Sequence, residues 1–413
     1  MTLPLKLIAI LLILVSSNIN GQVLSTDQRA FLDQYSVDLS GSELLDGFEQ
    51  IKAEIADKRF VLIGEFNHGS REVFLLRNKL IAYLNDSCSF DVLLFESGIG
   101  ELIDPDFNKD ILSPKQMTYG LLGGWRTKEF EQLMELIKER KLSMAGFDVQ
   151  RSGRSFERTL DGIAETSNID TILFYSLEDR FGQLKSLLSN RRVSYHDSIR
   201  LKANELIADY DQLYAALLEV EAMTSVKKFL LALKTVQNRI RFLTYMLDFK
   251  EGNDWNKRWA ARDSLMAENV IWLAENIYPN QKIIVIGHNF HISKHNGKEE
   301  VMGEFLLRKY PNQMYSIGVY AKSGSYLGNY GDENKMTAAA AAEQLDIKHI
   351  IEALNVEVSY LHIPKQLTIG AEWLYQKIVT NDTFVDLSNS NSVNLSKHFD
   401  GLLLLQNVSI PEK

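Results

Sequence analysis

The sequence predicts an α/β fold: a central, mostly parallel β-sheet flanked by helices, with a long all-helical insertion. Three observations lead there. Short apolar runs that read as buried strands alternate with helical patterns as far as residue 150. No proline occurs from Lys115 to Tyr278 and no glycine from Gln183 to Glu251, while leucines recur there at helical spacing. Strand-like runs then return at residues 282–287, 313–320, 357–363 and 399–405.

Taken in order, residues 1–21 read as a signal peptide. Lys6 gives a positive start, residues 7–15 form an apolar stretch too short to span a bilayer, and small and polar residues follow. Residues 22–154 form the first part of the α/β domain, 155–250 the helical insertion and 251–413 the second part. Residues 26–55 read as a helical lead-in anchored by Phe31, Leu39, Leu44 and Phe48. A buried strand at 60–64 precedes a helix at 71–85 whose apolar stripe is Val73, Leu76, Leu80 and Leu84. A second strand at 91–96 ends in Glu96. Gly98 and Gly100 lie beyond it, without the rest of a dinucleotide-binding fingerprint. Trp125, Thr127 and Glu129 open a helix to about Arg140, and a strand at 143–147 ends in Asp148. The breaker-free stretch predicts three or four long helices covering one side of a cleft. A helix at 255–277 aligns Arg258, Arg262 and Asn269 in one stripe. Helices at 299–309 and 338–354 and a surface loop at 323–334 complete the reading.

Composition narrows the function. The formal charge is -9 with no basic patch, so nucleic acid is not an expected partner. The one cysteine, Cys88, excludes an intrachain disulfide and has no base at a matched spacing. No stretch after the leader is apolar enough to span a membrane. A Gly-x-Ser-x-Gly elbow, a His-Glu-x-x-His helix and a P-loop are all missing, which disfavours the common serine hydrolases.

What remains is a set of carboxylates and imidazoles where strands end. Glu65, His68 and Glu72 follow the first strand, Glu96 and Asp148 close the next two, and His288 and His291 follow a later one. In α/β sheets these carboxyl ends form the ligand-binding edge. The glycines flanking the first cluster, Gly64 and Gly69, are expected to permit a tight turn. A histidine oriented by a carboxylate can take a proton from water, and a second histidine or an arginine can stabilise an oxyanion. Glu96 and Asp148 read equally well as caps or loop ion pairs, and Arg262 as a solvated charge.

Gly64-Glu-Phe-Asn-His-Gly-Ser-Arg-Glu72 resembles the Gly-Glu-x-x-His-Gly-x-x-Glu motif of the erythromycin esterase family. Phe95-Glu96, Trp125-x-Thr-x-Glu129, Gly146-Phe-Asp148, Arg262-Asp263, Gly287-His-Asn-Phe-His-Ile292 and Phe399-Asp-Gly-Leu-Leu403 are similar to its further motifs, in the same order. The resemblance implies an erythromycin esterase-like fold with a deep cleft, and hydrolysis of an ester or lactone without cofactor or metal. Macrolide resistance is the trait associated with it. It implies His68, Glu65, Glu96 and His288 as catalytic residues, with Arg71, Glu72, Asp148, Arg262, Asn289 and His291 around a small-molecule substrate. Phe66-Asn67, Ser97 to Gly100 and Ile286-Gly287 depart from the family's pattern at the pocket wall, so they bear on the substrate more than on the reaction class.

Two alternatives stand beside this reading. His288, His291 and His295 are spaced i, i+3 and i+7, which on a helix would make a metal set for a metal-dependent hydrolase, although the turn signal Asn296-Gly297 follows closely. A non-catalytic binding protein of the same fold is the other. The leader predicts a secreted or periplasmic protein with no membrane association once it is removed. N-terminal sequencing of the mature protein is expected to begin near residue 22; a start at Met1 would refute export.

Overall fold

The computed structural model describes residues 24–41, 44–164, 171–190, 192–219, 226–252, 255–328, 331–340, 344–380 and 392–413; the predicted leader lies outside them. The strands are β1 (Ser36–Asp38), β2 (Phe60–Ile63), β3 (Phe90–Gly98), β4 (Ser143–Asp148), β5 (Lys282–Ile286), β6 (Met314–Leu327), β7 (Glu333–Lys335), β8 (Val358–His362), β9 (Lys377–Val379), β10 (Ser392–Asn394) and β11 (Gly401–Val408). The main sheet runs β1-β8-β11-β6-β2-β5-β3-β4, with β7 paired to the end of β6. From β11 to β4 every neighbouring pair is parallel. Within this sheet, among the described residues, only β8, β1 and β7 run antiparallel to their neighbours, so it is mostly parallel, as the sequence predicts; β9 and β10 pair antiparallel apart from it.

The strands read as unbroken apolar runs because both faces of the sheet are covered. Leu62, Val92, Leu94, Ile283 and Val285 face a core shared with Phe156, Phe181, Tyr210 and Phe242 of the helical segment. Their alternates Val61, Ile63, Leu93, Phe95, Ile284 and Ile286 face Leu80 and Leu84 of the helix Arg71–Cys88, and Leu133 and Ile137 of the helix Lys128–Glu139. Among the described residues of 155–250 there are four helices, Phe156–Ala164, Thr171–Ser189, Asp197–Leu218 and Val226–Gly252.

Four local expectations are corrected. The lead-in is two helices, Thr26–Tyr35 and Leu44–Ile55, separated by β1, which pairs with β8. The stretch expected as a surface loop is largely a hairpin, because β6 continues to Leu327 and pairs with β7. The helix expected from 338 begins only at Ile347, where the buried Asp346 accepts from the backbone N–H of Lys348 at 2.9 Å. The helix expected from 299 begins at Met302.

The topology concentrates chemistry at one edge. The chain skips from β2 to β3 and out to β4, and returns after the helical segment to lay β5 between β2 and β3. Ile63, Ile286, Phe95 and Gly146 stand in one row of the sheet. Glu65, His288, Glu96 and Asp148 therefore leave four adjacent strands within one or two residues of a common level. Gly64 and Gly69 are there for close approach. Neither has a positive φ. A Cβ on Gly64 would lie 2.1 Å from Oδ1 of Asn289, and one on Gly69 would lie 2.4 Å from the carbonyl oxygen of Leu327. Asn289 fills its place by imitating a strand: its Nδ2 donates to the Val319 carbonyl at 2.8 Å, and its Oδ1 accepts from the Val319 N–H at 3.1 Å. Gly64→Ala is accordingly expected to destabilise the fold by roughly 1–3 kcal/mol, as overpacking does, read as a lower denaturant midpoint.

Candidate active site

The loop from Gly64 to Ser70 joins β2 to the helix Arg71–Cys88. Asn67 shapes it, its Oδ1 accepting from the Gly69 N–H at 2.8 Å and from the Ser70 hydroxyl at 3.0 Å. Glu65 is fully buried and takes three donors. Oε1 accepts from His68 Nδ1 at 2.6 Å and Trp125 Nε1 at 2.8 Å, and Oε2 accepts from Arg77 Nη1 at 2.9 Å. Arg77 lies 4.9 Å from the Phe130 ring centre and 5.8 Å from that of Trp125. Burial favours the protonated acid, but His68, Arg77 and Trp125 outweigh it and lower the Glu65 pKa. A carboxylate only accepts, so His68 donates through Nδ1 and its lone pair is on Nε2. Nε2 has no protein partner among the described residues, and the side chain is 19% exposed. Burial works against an imidazolium at His68, yet Glu65 and Glu96 prevail and raise its pKa.

A second cluster closes the neighbouring strands. Arg262 is buried on the helix Trp255–Trp272. It grips Asp148 through Nε at 3.2 Å and Nη2 at 2.6 Å, and Nη2 also reaches Glu96 at 2.8 Å. Asn269, further along the stripe, donates to the Phe147 carbonyl at 2.9 Å, whereas Arg258 stacks 5.7 Å from the Phe249 ring centre. Burial raises the Glu96 pKa, but His291 and Arg262 hold it well below the ordinary carboxylate range. His291 Nδ1 lies 2.8 Å from Asp263, and its Nε2 lies 3.0 Å from Arg262 Nη1 and 3.3 Å from Glu96. The neutral ring accepts from Arg262, and the imidazolium donates to Glu96. Burial opposes the charge, but Asp263 and Glu96 outweigh it and raise the pKa to about 9.

His288 is the opposite case. Its N–H donates to Glu96 at 2.9 Å, its Nδ1 accepts from the Phe290 N–H at 3.1 Å, and its Nε2 donates to the Phe66 carbonyl at 3.2 Å. Burial and the His68 ring, 5.5 Å away between centroids, lower its pKa to about 4. Its ring is neutral with both nitrogens engaged, so it borders His68 without a free nitrogen to act as a base.

Three expected substrate-binding residues are occupied elsewhere. Glu72 accepts from the N–H and the hydroxyl of Ser409, both at 2.6 Å. Arg71 pairs with Glu129 at 3.2 Å and Glu412 at 2.9 Å. Both therefore clasp the C-terminal tail. Asn289 is consumed by β6. Asp148, Arg262 and His291 do join the site, as its buried floor. The sequence reading does not single out Arg77, and it quotes Asp263 within a motif without giving it a role. Arg77 falls in the stripe of Val73, Leu76, Leu80 and Leu84, and an arginine on a buried face was the available signal. The three histidines of the metal alternative do not converge: the helix Asn289–Ile292 ends early, and His295 meets the His398 ring edge-on, with centroids 5.6 Å apart. Among the described residues no group of three His, Cys, Asp or Glu is arranged to hold a metal ion.

The family model for erythromycin esterase matches residues 104–408. The chain belongs to the erythromycin esterase family. The match contains Asp148, Arg262, His288 and His291 but starts beyond Glu65, His68 and Glu96. The chain is 27% identical to YbfO of Bacillus subtilis (strain 168), over 91% of this chain and 90% of that one. It is 25% identical to erythromycin esterase type II of Escherichia coli, over 68% and 73%. The structure of a mutant of the erythromycin esterase EreC in its open conformation superposes with a TM-score of 0.61 at 19% identity, covering 89% of this chain and 97% of that one. An erythromycin esterase-like fold is thereby established.

The two neighbouring histidines are expected to titrate far apart, near pH 9 for His291 and near pH 4 for His288, in ring-proton NMR. A histidine with a raised folded pKa adds stability that is complete below its unfolded value and fades as pH rises through the folded one. His291 is thus expected to contribute up to about 3 kcal/mol near pH 6, lost by pH 10, in denaturant titrations across that window.

Proposed function

We propose that this family member is a hydrolase that cleaves an ester or lactone with water activated by His68. One observation carries the reading: a buried carboxylate fixes Nδ1 of a partly exposed imidazole at 2.6 Å and leaves Nε2 unpartnered at the carboxyl edge of a parallel sheet. Nε2 takes a proton from water as the oxygen attacks the carbonyl carbon. Glu65 stabilises the imidazolium that forms. As the tetrahedral intermediate collapses, His68 returns the proton to the departing alkoxide, giving a carboxylic acid and an alcohol, or a hydroxy acid from a lactone. Arg262 and the His291 imidazolium, buried below and paired with Glu96, Asp148 and Asp263, hold the floor on which the reaction takes place. The residues whose orientation supports catalysis are His68 and Glu65, with the charge of Glu96 acting on His68 from the second cluster.

Family membership supports the hydrolase class, and the pocket-wall departures leave macrolides as one lactone class among those to be tried. The leader supports a secreted or periplasmic setting. A Glu–His pair can generate the nucleophile without a Lewis acid, so turnover is expected to survive exhaustive chelation. On a panel of esters and lactones, His68→Ala is expected to lower turnover ~10²–10⁴-fold, the usual scale of a general base, with thermal melting nearly unchanged. His68→Gln should be almost as inactive, since an amide cannot accept the proton. Near-normal turnover by folded His68→Ala would sink the mechanism, and no turnover on any substrate would favour a binding protein.

A further inference from the structure

A cavity of ≈ 570 Å³ opens beside the catalytic edge, between the loop that follows β4 and the helix Thr171–Ser189. The loop is tied to the site's rim: the Ser152 hydroxyl accepts from the Gly98 N–H at 3.0 Å, two residues beyond Glu96. The cations around it are unequally matched. Arg151 is paired with Glu157 at 3.1 Å and Glu178 at 3.5 Å, and Arg154 with Glu157 at 3.1 Å and Asp179 at 2.6 Å. Lys185 lines the same cavity, yet its ammonium donates only to the Arg151 carbonyl and has no carboxylate within ion-pair range among the described residues. On the other side of the loop, Arg126 donates to the carbonyls of Leu121 and Ser152 and also lacks a carboxylate partner there. A chain of net charge -9 has acidic groups to spare, so two such cations donating to the carbonyls of one loop are a specific feature.

We propose that this cavity is an anion-recognising subsite, centred on Lys185, that receives a single negative group such as a carboxylate carried by the ester or lactone substrate. The proposal rests on the hydrolase reading and names its substrate class. A partly desolvated ammonium without a counter-charge is unfavourable. Burial lowers the Lys185 pKa, although Asp148 and Glu101 act to sustain its charge. A bound carboxylate restores the pairing and leaves Gln183, exposed at the rim, for hydroxyls nearby. Gly182 keeps the wall low, since a Cβ there would lie 3.2 Å from Arg151 Nη1.

The test compares methyl half-esters of linear dicarboxylic acids, from glutarate to sebacate, with the corresponding dimethyl esters. At the chain length that spans the cavity and His68, the intact protein is expected to prefer the half-ester by roughly tenfold in kcat/KM, the scale of one charge-assisted hydrogen bond. Lys185→Gln should bring the ratio near one, and Lys185→Arg should keep most of it. Equal ratios in wild type and Lys185→Gln at every length would overturn the subsite. Independently of turnover, saturation-transfer NMR should show hexanoate, but not hexanamide, binding to wild type and not to Lys185→Gln. That result with no ester hydrolysed would uphold the subsite and sink the hydrolase reading, whereas no hexanoate binding by wild type would sink the subsite alone.

Discussion

The buried Arg262 ion-pair cluster is the interaction on which the edge of the candidate site depends. One buried guanidinium holds the ends of β3 and β4 through Glu96 and Asp148, and it touches His291 beyond β5. Without it, Asp148 would lie buried with no cation against it among the described residues, and Glu96 would keep only His291 and the His288 N–H, at a cost of several kcal/mol. With it, the four strand ends can stay at a common level in a dry setting. Removing one member of such a buried set typically costs about 3–5 kcal/mol, more than a surface ion pair contributes. The floor of the site is therefore also a structural joint between the sheet and the helix that follows the helical segment.

A second buried network extends the same logic into that segment. Arg239, on the helix Val226–Gly252, pairs with Glu101 and Glu178, and Tyr210 donates to Glu178 at 2.8 Å. Arg151 joins Glu178 from the loop after β4. Glu101 opens the helix that leaves β3, while Glu178 and Tyr210 come from two further helices. The helical segment is thus tied by charge to the rim it overhangs, and Gly100 lets it approach closely: a Cβ there would lie 2.4 Å from Thr235 Cγ2. The glycines after Glu96 serve packing, which accounts for a partial dinucleotide-like spacing with no phosphate loop behind it.

What was legible in the sequence follows from burial. β2, β3 and β5 could be read because both faces of a parallel sheet demand apolar residues, leaving a run of uniform character. β1 could not, since its three residues are half-buried and owe their conformation to β8, over 300 residues later. The hairpin of β6 and β7 was hidden by glycines and asparagines that normally mark loops. Glu65 and His68 were legible as a pair because their partner is local. Arg71 and Glu72 look equally functional in sequence but bind Ser409 and Glu412, which no local pattern reveals. His288 and His291 look interchangeable three residues apart, and their opposite charge preferences come from burial beside the His68 ring for the one and from Asp263 and Glu96 for the other, all brought in by the fold.

In the proposed reaction, the Glu65–Arg77 pair sets how strong a base His68 can be. A carboxylate alone, buried at 2.6 Å from Nδ1, would bind the imidazolium so tightly that the ring would be charged before water arrived. Arg77, on the other carboxylate oxygen at 2.9 Å, offsets part of that field without competing for Nδ1. Trp125 takes the remaining direction on Oε1 and fixes the plane in which His68 sits. The charged neighbours beyond are arranged likewise: His288 is kept neutral beside His68, so no second cation lies against the ring that must accept a proton, while the positive charge of His291 and Arg262 is placed deeper, paired with Glu96. On the proposed mechanism, these neighbours leave the imidazole basic enough to take a proton from water and free, at Nε2, to receive it.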